Sequence, residues 1–297
     1  MRSVLVVNPF ATRVSESRLA AVVAELEAAG EVAVVQTQRP GHAAELVTDA
    51  CGDGAQAIVV FSGDGGFNEA LNGLGADVPI GFLPGGGTSV LSRALGLSAD
   101  PVDAARRVAE ALASGRTRRI ALGRVNGRRF AFSAGIGLDA EAVRRVDDLG
   151  RREDGRRPGD LAFALAVVRA LVAHRGHLEA RLEVRGHGRA ALAFVANGSP
   201  YTYAGAVPLQ IAPEADFELG LDLVAPLRVR RRSLLRMAAE VLTGHVRDRG
   251  PYLYGHDLDR IEVVCDEPMP LHADGEDLGD VEEAVFEAER NAVAVLV

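Results

Sequence analysis

The sequence predicts an α/β amino-terminal half, a parallel sheet with glycine-rich loops at its strand ends, followed by a β-rich, sandwich-like second half. Three observations carry this expectation. Through about the first 120 residues short apolar runs alternate with amphipathic stretches, the texture of a parallel sheet covered by helices. Glycine clusters follow several of those runs, where a strand would hand over to a helix. From about Ile120 onward the alternation gives way to β-forming runs paired across short turns.

Taken in order, Val4–Val7, Val32–Gln36, Ala57–Phe61 and Pro79–Leu83 read as strands, and Arg18–Ala29, His42–Ala50 and Val102–Ala113 as helices. Asp100 and Pro101 supply the last helix with an N-cap and a first helical residue, because the carboxylate can accept orphan amides and proline has none to lose. In the second half, Ile120–Val125 and Arg129–Ala134 flank an Asn126-Gly127 turn, and Ala180–Val184 and Ala190–Val195 flank Gly186-His187-Gly188. Further strands are expected at Leu221–Val224, Arg260–Val264, Met269–Ala273, Ala284–Ala288 and Ala292–Val297, with a helix over Arg232–Val246. The segment Arg144–Asp160, rich in arginine, aspartate and glycine, reads as a mobile loop.

Composition removes several classes. With 48% hydrophobic and 25% charged residues among 297, the chain is a folded protein rather than a disordered or fibrous one. Apolar stretches such as Ile58–Phe61 and Leu161–Val168 fall far short of a membrane span and no signal peptide precedes Ser3–Val7, so the expected address is cytoplasmic. Cys51 and Cys265 cannot build a disulfide framework or a zinc site and read as small buried apolar residues. A net charge of −8 argues against a nucleic-acid partner, which would need a basic face. All 33 basic residues are arginine. Without lysine, a P-loop, a protein-kinase strand lysine, a Schiff base and a Ser-x-x-Lys hydrolase are excluded. Phosphate handling would fall to backbone amides, arginine or a metal.

The strand ends are where such amides would sit. Asn8-Pro9-Phe10-Ala11-Thr12 follows the first strand, Thr37 ends the second, Ser62-Gly63-Asp64-Gly65-Gly66 follows the third and Pro84-Gly85-Gly86-Gly87-Thr88 the fourth. In an open α/β sheet ligands bind beyond the carboxyl ends of the strands, and glycines at a strand-to-helix turn let backbone N–H groups approach an anion. A plainer reading makes these glycines tight turns, with Asp64 capping its own helix.

The run Ser62–Leu74 resembles the GGDGTxNExxNGL signature of the diacylglycerol kinase and sphingosine kinase family of lipid kinases. Asn8-Pro9, the second glycine loop Leu83–Leu97, Ala134–Ala140, Asn197, Gly205, Ala212–Asp222 and Asp274-Gly275-Glu276 are similar to further family landmarks in the same order, so the resemblance spans the chain. It implies a nucleotide-binding domain over 1–119, to which the end of the chain at 290–297 returns, and a lipid-substrate domain over 120–289. It also implies ATP as phosphoryl donor with Mg2+, transfer to a lipid hydroxyl such as that of diacylglycerol, and peripheral membrane association. By the same resemblance Asn8, Pro9, Thr12, Thr37, Gly63, Asp64, Gly65, Gly66, Asn68, Glu69, Gly87 and Thr88 contact the nucleotide, Asp64 and Asp139 serve the metal, and Asp274 or Glu276 takes the hydroxyl proton.

Departures from the signature are also visible. Gly66 replaces its threonine, Ser62 its first glycine, Ala11-Thr12 a Ser-Gly pair and Ser89 the asparagine after the second loop's threonine. Leu219 stands where an acidic residue helps hold a structural magnesium in some members. A hydroxyl at position 66 would donate to a phosphate oxygen, so Gly66→Thr is expected to tighten ATP binding if the local backbone admits a β-branched residue. Two other functions stay open: a kinase acting on a small nucleotide, as the NAD kinases do, and a nucleotide- or lipid-binding homologue of weakened activity. The arginines at 228, 230, 231, 232 and 236, and at 151, 152, 156 and 157, read either as anionic-headgroup contacts or as solvated faces. His272 shares a strand with Asp274, and a homodimer is left open.

Overall fold

The computed structural model describes residues 2–75, 77–148, 169–170, 173–204, 207–246 and 250–297. The chain divides into two compact units, one of residues 1–120 with 291–297, the other of residues 121–290.

The first unit is a parallel sheet with helices on both faces. Its elements are β1 (Arg2–Val7), α1 (Glu16–Glu27), β2 (Glu31–Gln36), α2 (His42–Gly52), β3 (Ala57–Ser62), α3 (Asp64–Gly73), β4 (Ile80–Pro84), α4 (Val90–Ala94) and α5 (Pro101–Ser114). The strand order is β2-β1-β3-β4. Val7 stands opposite both Gln36 and Phe61, and Ser62 opposite Pro84, so the loops leaving all four strands emerge at one edge. Every residue of β3 is buried, as a continuous apolar run sandwiched between helices must be. Leu5, Val7, Val59 and Phe61 pack with Val22 and Leu26 of α1 and Ala105, Val108 and Leu112 of α5. Phe67 of α3 meets Phe82 of β4 edge-on, centroids 5.0 Å apart. The Asp100 carboxylate accepts the amides of Val102 and Asp103, with Pro101 in the first turn of α5.

The second unit is antiparallel. It contains β5 (Arg118–Val125), β6 (Arg128–Phe130), β7 (Ser133–Ile136), α6 (Leu138–Asp148), β8 (His177–Leu178), β9 (Leu182–Val184), β10 (Gly188–Ala190), β11 (Ala193–Ala196), β12 (Thr202–Ala204), β13 (Val207–Leu209), β14 (Leu221–Pro226), β15 (Val229–Arg230), a 3-10 turn (Arg231–Ser233), α7 (Leu234–Thr243), β16 (Tyr252–Leu258), β17 (Arg260–Ala273) and β18 (Glu276–Val295). Its main strand order is β16-β14-β11-β7-β17-β18. Phe130, Ile136, Val195, Leu223, Val263 and Phe286 belong to its core. The last residues of β18 add to the first unit, where Val295 pairs in parallel with Ile80.

Several boundaries differ from the sequence reading. The late strands expected at 260–264, 269–273, 284–288 and 292–297 are two long ones, β17 and β18, whose pairing continues through register shifts between Val264 and Met269 and between Pro270 and His272. Arg129–Ala134 divides into β6 and β7, because Ala131 and Phe132 turn their amides to the Asp274 carboxylate. Residues 144–148, expected in a loop, complete α6, while 149–160 and the arginines at 151, 152, 156 and 157 lie outside the described residues, as does Gly205. The helix expected from Arg232 begins at Leu234 after the 3-10 turn and ends at Gly244, a left-handed cap. No helix among the described residues is long and apolar enough to cross a membrane.

Candidate functional site

At the strand-end edge of the first unit the two glycine loops interlock. Gly85 donates its amide to the Ser62 carbonyl at 2.7 Å, and a Cβ placed on Gly86 would stand 2.9 Å from the Gly63 Cα. Backbones this close admit only glycine. Arg13, which sequence reading passed over among so many arginines, fastens the first loop to the second. Its amide donates to the Gly85 carbonyl at 2.8 Å and its guanidinium to the carbonyls of Gly87 and Ala99. Asn8 closes a turn by accepting the Phe10 amide at 3.0 Å, next to an exposed Pro9, and Thr37 extends β2 by donating its amide to the Val7 carbonyl. Thr12 and Gly87 are exposed and Thr88 is half-buried. The amides at the start of α3, of Asp64, Gly65 and Gly66, lie in the first turn of a ten-residue helix, where orphan donors and the helix dipole favour an anion.

Asp64 sits at the junction. Its two carboxylate oxygens accept the amides of Val90 and Leu91, each at 3.0 Å, and so cap α4 rather than its own helix. The N-cap of α3 is Gly63, with no side chain to offer. Asn68 and Glu69, expected at the nucleotide, are directed into the scaffold. Asn68 is buried and accepts hydrogen bonds from the Asn72 amide group, and Glu69 accepts the Ala43 amide at 3.2 Å, capping an α2 whose own N-cap is Gly41. Gly66 faces Ser62 across the strand-to-helix turn and its φ is not left-handed. Ser89, where the signature has asparagine, adopts φ of 50°, the left-handed conformation asparagine tolerates better than serine.

In the second unit Asp274-Gly275 forms the two-residue hairpin between β17 and β18, both residues at positive φ, 47° and 78°. The turn separates the side chains of Asp274 and Glu276. Asp274 is 4% exposed, and its carboxylate accepts the amides of Ala131 at 2.6 Å, Phe132 at 3.0 Å and Ser133 at 3.1 Å. Glu276 is partly exposed and pairs with Arg128, a partner the Asn126-Gly127 hairpin delivers and the sequence alone did not single out.

Asp139, expected beside the metal, is the acceptor of a buried network: Tyr201 donates to one oxygen at 2.7 Å and His272 Nε2 bonds the other at 2.6 Å. Burial alone would raise its pKa. The charge and hydrogen bond of His272, with the Tyr201 hydroxyl, outweigh that and hold the carboxyl below the usual range. Burial, reinforced by the Asp139 charge, pushes the Tyr201 phenol far up, so it stays a donor. Asn197 donates from Nδ2 to the carbonyls of Ala121 and Ala131, and so braces the same strands as Asp274. At Gly220 the nearby cation is Arg290, paired with Asp257 at 2.8 Å and Asp259 at 2.7 Å. No group of three metal-ligating side chains occurs among the described residues.

Residues 2–125 match the family model of the diacylglycerol kinase catalytic domain, and residues 133–297 match that of the YegS C-terminal NAD kinase beta sandwich-like domain. The chain belongs to the diacylglycerol kinase and YegS-like lipid kinase family. A diacylglycerol kinase of Bacillus subtilis (strain 168) is 28% identical over 287 residues, 93% of this chain and 89% of its own. One from Mycobacterium tuberculosis (strain ATCC 25618 / H37Rv) is 30% identical over 211 residues, 68% of this chain and 65% of its own. The solved structure of a diacylglycerol kinase from Bacillus anthracis str. Sterne superposes with a TM-score of 0.73 at 18% identity, over 99% of this chain and 96% of that one. That likeness bears on the fold. The α/β first domain and sandwich-like second domain are those of the family.

Proposed function

We propose that this member of the family transfers a phosphoryl group from ATP to the hydroxyl of a lipid such as diacylglycerol. The observation that carries the reading is the pair of interlocked glycine loops with Asp64 at their junction, in a chain without lysine. Phosphoryl transfer is mostly positioning and charge stabilisation, which a rigid cradle of backbone amides supplies without a cationic side chain. Gly63, Gly65, Gly66, Gly87, Thr88, Asn8, Thr12 and Thr37 line or border that edge and are the proposed nucleotide contacts.

Asp64, at the junction of the two loops, is the carboxylate that would hold a hydrated Mg2+ carried in with the nucleotide, an ion that needs only one or two protein carboxylates beside phosphate oxygens. The ion would neutralise charge on the phosphates. The lipid hydroxyl loses its proton to a carboxylate of the Asp274-Gly275-Glu276 hairpin. Of the two, Glu276 is the one solvent reaches, while Asp274 fastens the strand before β7.

Labelled ATP and magnesium offered with a panel of lipid alcohols and with NAD tests the reading. A phosphorylated lipid is the expected product. NAD belongs in the panel because the second domain's matching model is described as NAD kinase-like; phosphorylated NAD with untouched lipids would replace this proposal.

A further inference from the structure

Helix α7 has two apolar sides. Met237 and Val241 pack inward against the cluster of Phe194, Val224, Val246 and Tyr252. Leu235, Ala238, Ala239 and Leu242 recur at i, i+3, i+4 and i+7 and are all exposed, Leu235 by 87% and Leu242 by 55%. Spacing of this kind gathers apolar groups into one stripe along a helix, and a stripe left facing outward marks a contact surface.

The approach to α7 is strongly basic. Arg228, Arg230, Arg232 and Arg236, with Ser233 and Pro251, line a cavity of about 480 Å³. With Arg231, five arginines fall within residues 228–236 of a chain whose net charge is −8. Arg236 reaches Glu240 at 3.4 Å, and the other four have no carboxylate partner among the described residues. The Arg230 Nε is buried and without a hydrogen-bond acceptor there.

We propose that α7 and this cavity dock the protein on a membrane of anionic phospholipid, the leucines entering the acyl boundary and the arginines taking the lipid phosphates. A guanidinium offers a fork of donors matched to phosphate oxygens, and an apolar stripe beside a basic rim is the pattern of a helix lying in a bilayer interface. A free phosphate would have no use for the stripe. A second copy meeting this face by two-fold symmetry would bring its own five arginines against these. The inference deepens the lipid-kinase reading and rests on it for its biological sense, although the surface itself is independent of catalysis.

The test is flotation of the full chain, without nucleotide, with vesicles of phosphatidylcholine alone or mixed with phosphatidylglycerol, at low and high salt. The parent should bind the anionic vesicles and release them in salt. Arg230→Gln/Arg232→Gln should bind those vesicles roughly twentyfold more weakly or worse, at about fivefold per arginine. Leu235→Ser/Leu242→Ser should also lose binding, while both variants phosphorylate a dispersed short-chain diacylglycerol at the parental rate. Parental vesicle binding by both variants overturns the docking surface and leaves the kinase reading standing. Loss in the arginine variant alone leaves a purely electrostatic contact with the lipid phosphates and overturns the insertion of the α7 leucines. A dimeric parent that the leucine variant renders monomeric, with vesicle binding unchanged, makes α7 a subunit contact and overturns it too. Vesicle binding by a parent that phosphorylates no lipid leaves the surface in place and removes the kinase reading instead.

Discussion

Ser62 occupies the space that a side chain at Gly66 would need. A Cβ added at Gly66 would overlap the Ser62 Oγ and lie 2.8 Å from the Ser62 Cβ. These are two of the positions where the chain departs from its family's signature, one gaining a side chain and the other losing one, and the geometry makes them a single exchange. The Ser62 hydroxyl is buried, 2% exposed as a residue, and has no hydrogen-bond partner among the described residues.

Gly66→Thr alone is therefore expected to overpack the turn, costing about 1 to 3 kcal/mol, rather than to tighten nucleotide binding as the bare motif predicts. Ser62→Gly/Gly66→Thr should recover most of that loss. The two substitutions should couple by about 1 to 3 kcal/mol in a double-mutant cycle of urea midpoints. Additive effects would show that the two positions do not share the space. ATP titration of the double variant then isolates what a threonine hydroxyl contributes.

Removing Asp64 should cost stability as well as turnover. Its carboxylate holds the first turn of α4 through two amides, and hydrogen bonds to a charged group are worth about 1.5 to 3 kcal/mol each. Asparagine keeps one acceptor and turns an N–H2 toward the other amide. Asp64→Asn should lower the melting temperature measurably and reduce phosphoryl transfer about a hundredfold or more when assayed well below that melt. A melt equal to the parent's would mean that the α4 cap carries no weight.

The hairpin carboxylates should separate by what each loses. Asp274→Asn breaks a clamp on three consecutive amides, 131 to 133, and is expected to unfold at lower urea. Glu276→Gln breaks the partly exposed ion pair with Arg128, worth about 1 kcal/mol or less, and should fold as the parent does. If Glu276 accepts the substrate proton, its variant should lose about a hundredfold or more in kcat with little change in KM for ATP. Parental kcat in Glu276→Gln would return the proton to Asp274.

What the sequence made legible was local. Asn126-Gly127 and Asp274-Gly275 both adopt the positive φ pair that such dipeptides favour, and the strand-end glycines sit at one edge because four apolar runs in α/β alternation admit few other arrangements. What it hid were partners distant in sequence. Nothing near Asp64 signals that its acceptors serve α4, 26 residues on, nor near Glu69 that it caps α2. Capping statistics look only at a helix's own flanks, and here Ser89 and Gly41 offer no side-chain cap and leave both to be supplied from elsewhere. Asp139 is marked by its motif but its partners are not, since Tyr201 lies 62 residues away and His272 133 away. The full lengths of β17 and β18 are hidden because charged residues interrupt their apolar alternation.

Asp139 and Asp222, both in the second unit, should respond to pH in opposite senses. Asp139 is held below its ordinary 3.8 because His272 and Tyr201 outweigh the effect of its burial. A depressed carboxyl stabilises the fold above its unfolded pKa, and that contribution fades as pH falls through the folded value. Asp222 is raised above 3.8, burial outweighing the Asp257 amide and His256, so its ionisation opposes folding. Its contribution is fully present below 3.8 and is lost as pH rises through the higher folded value. Asparagine at 222 can still accept the Asp257 amide and donate to His256 Nδ1, which bonds the aspartate at 2.9 Å. Urea midpoints across the acid range should therefore show Asp222→Asn gaining on the parent as pH rises from about 4, and the deficit of Asp139→Asn shrinking as pH drops below about 4. Parallel curves for parent and both variants would mean that neither buried carboxyl is linked to folding.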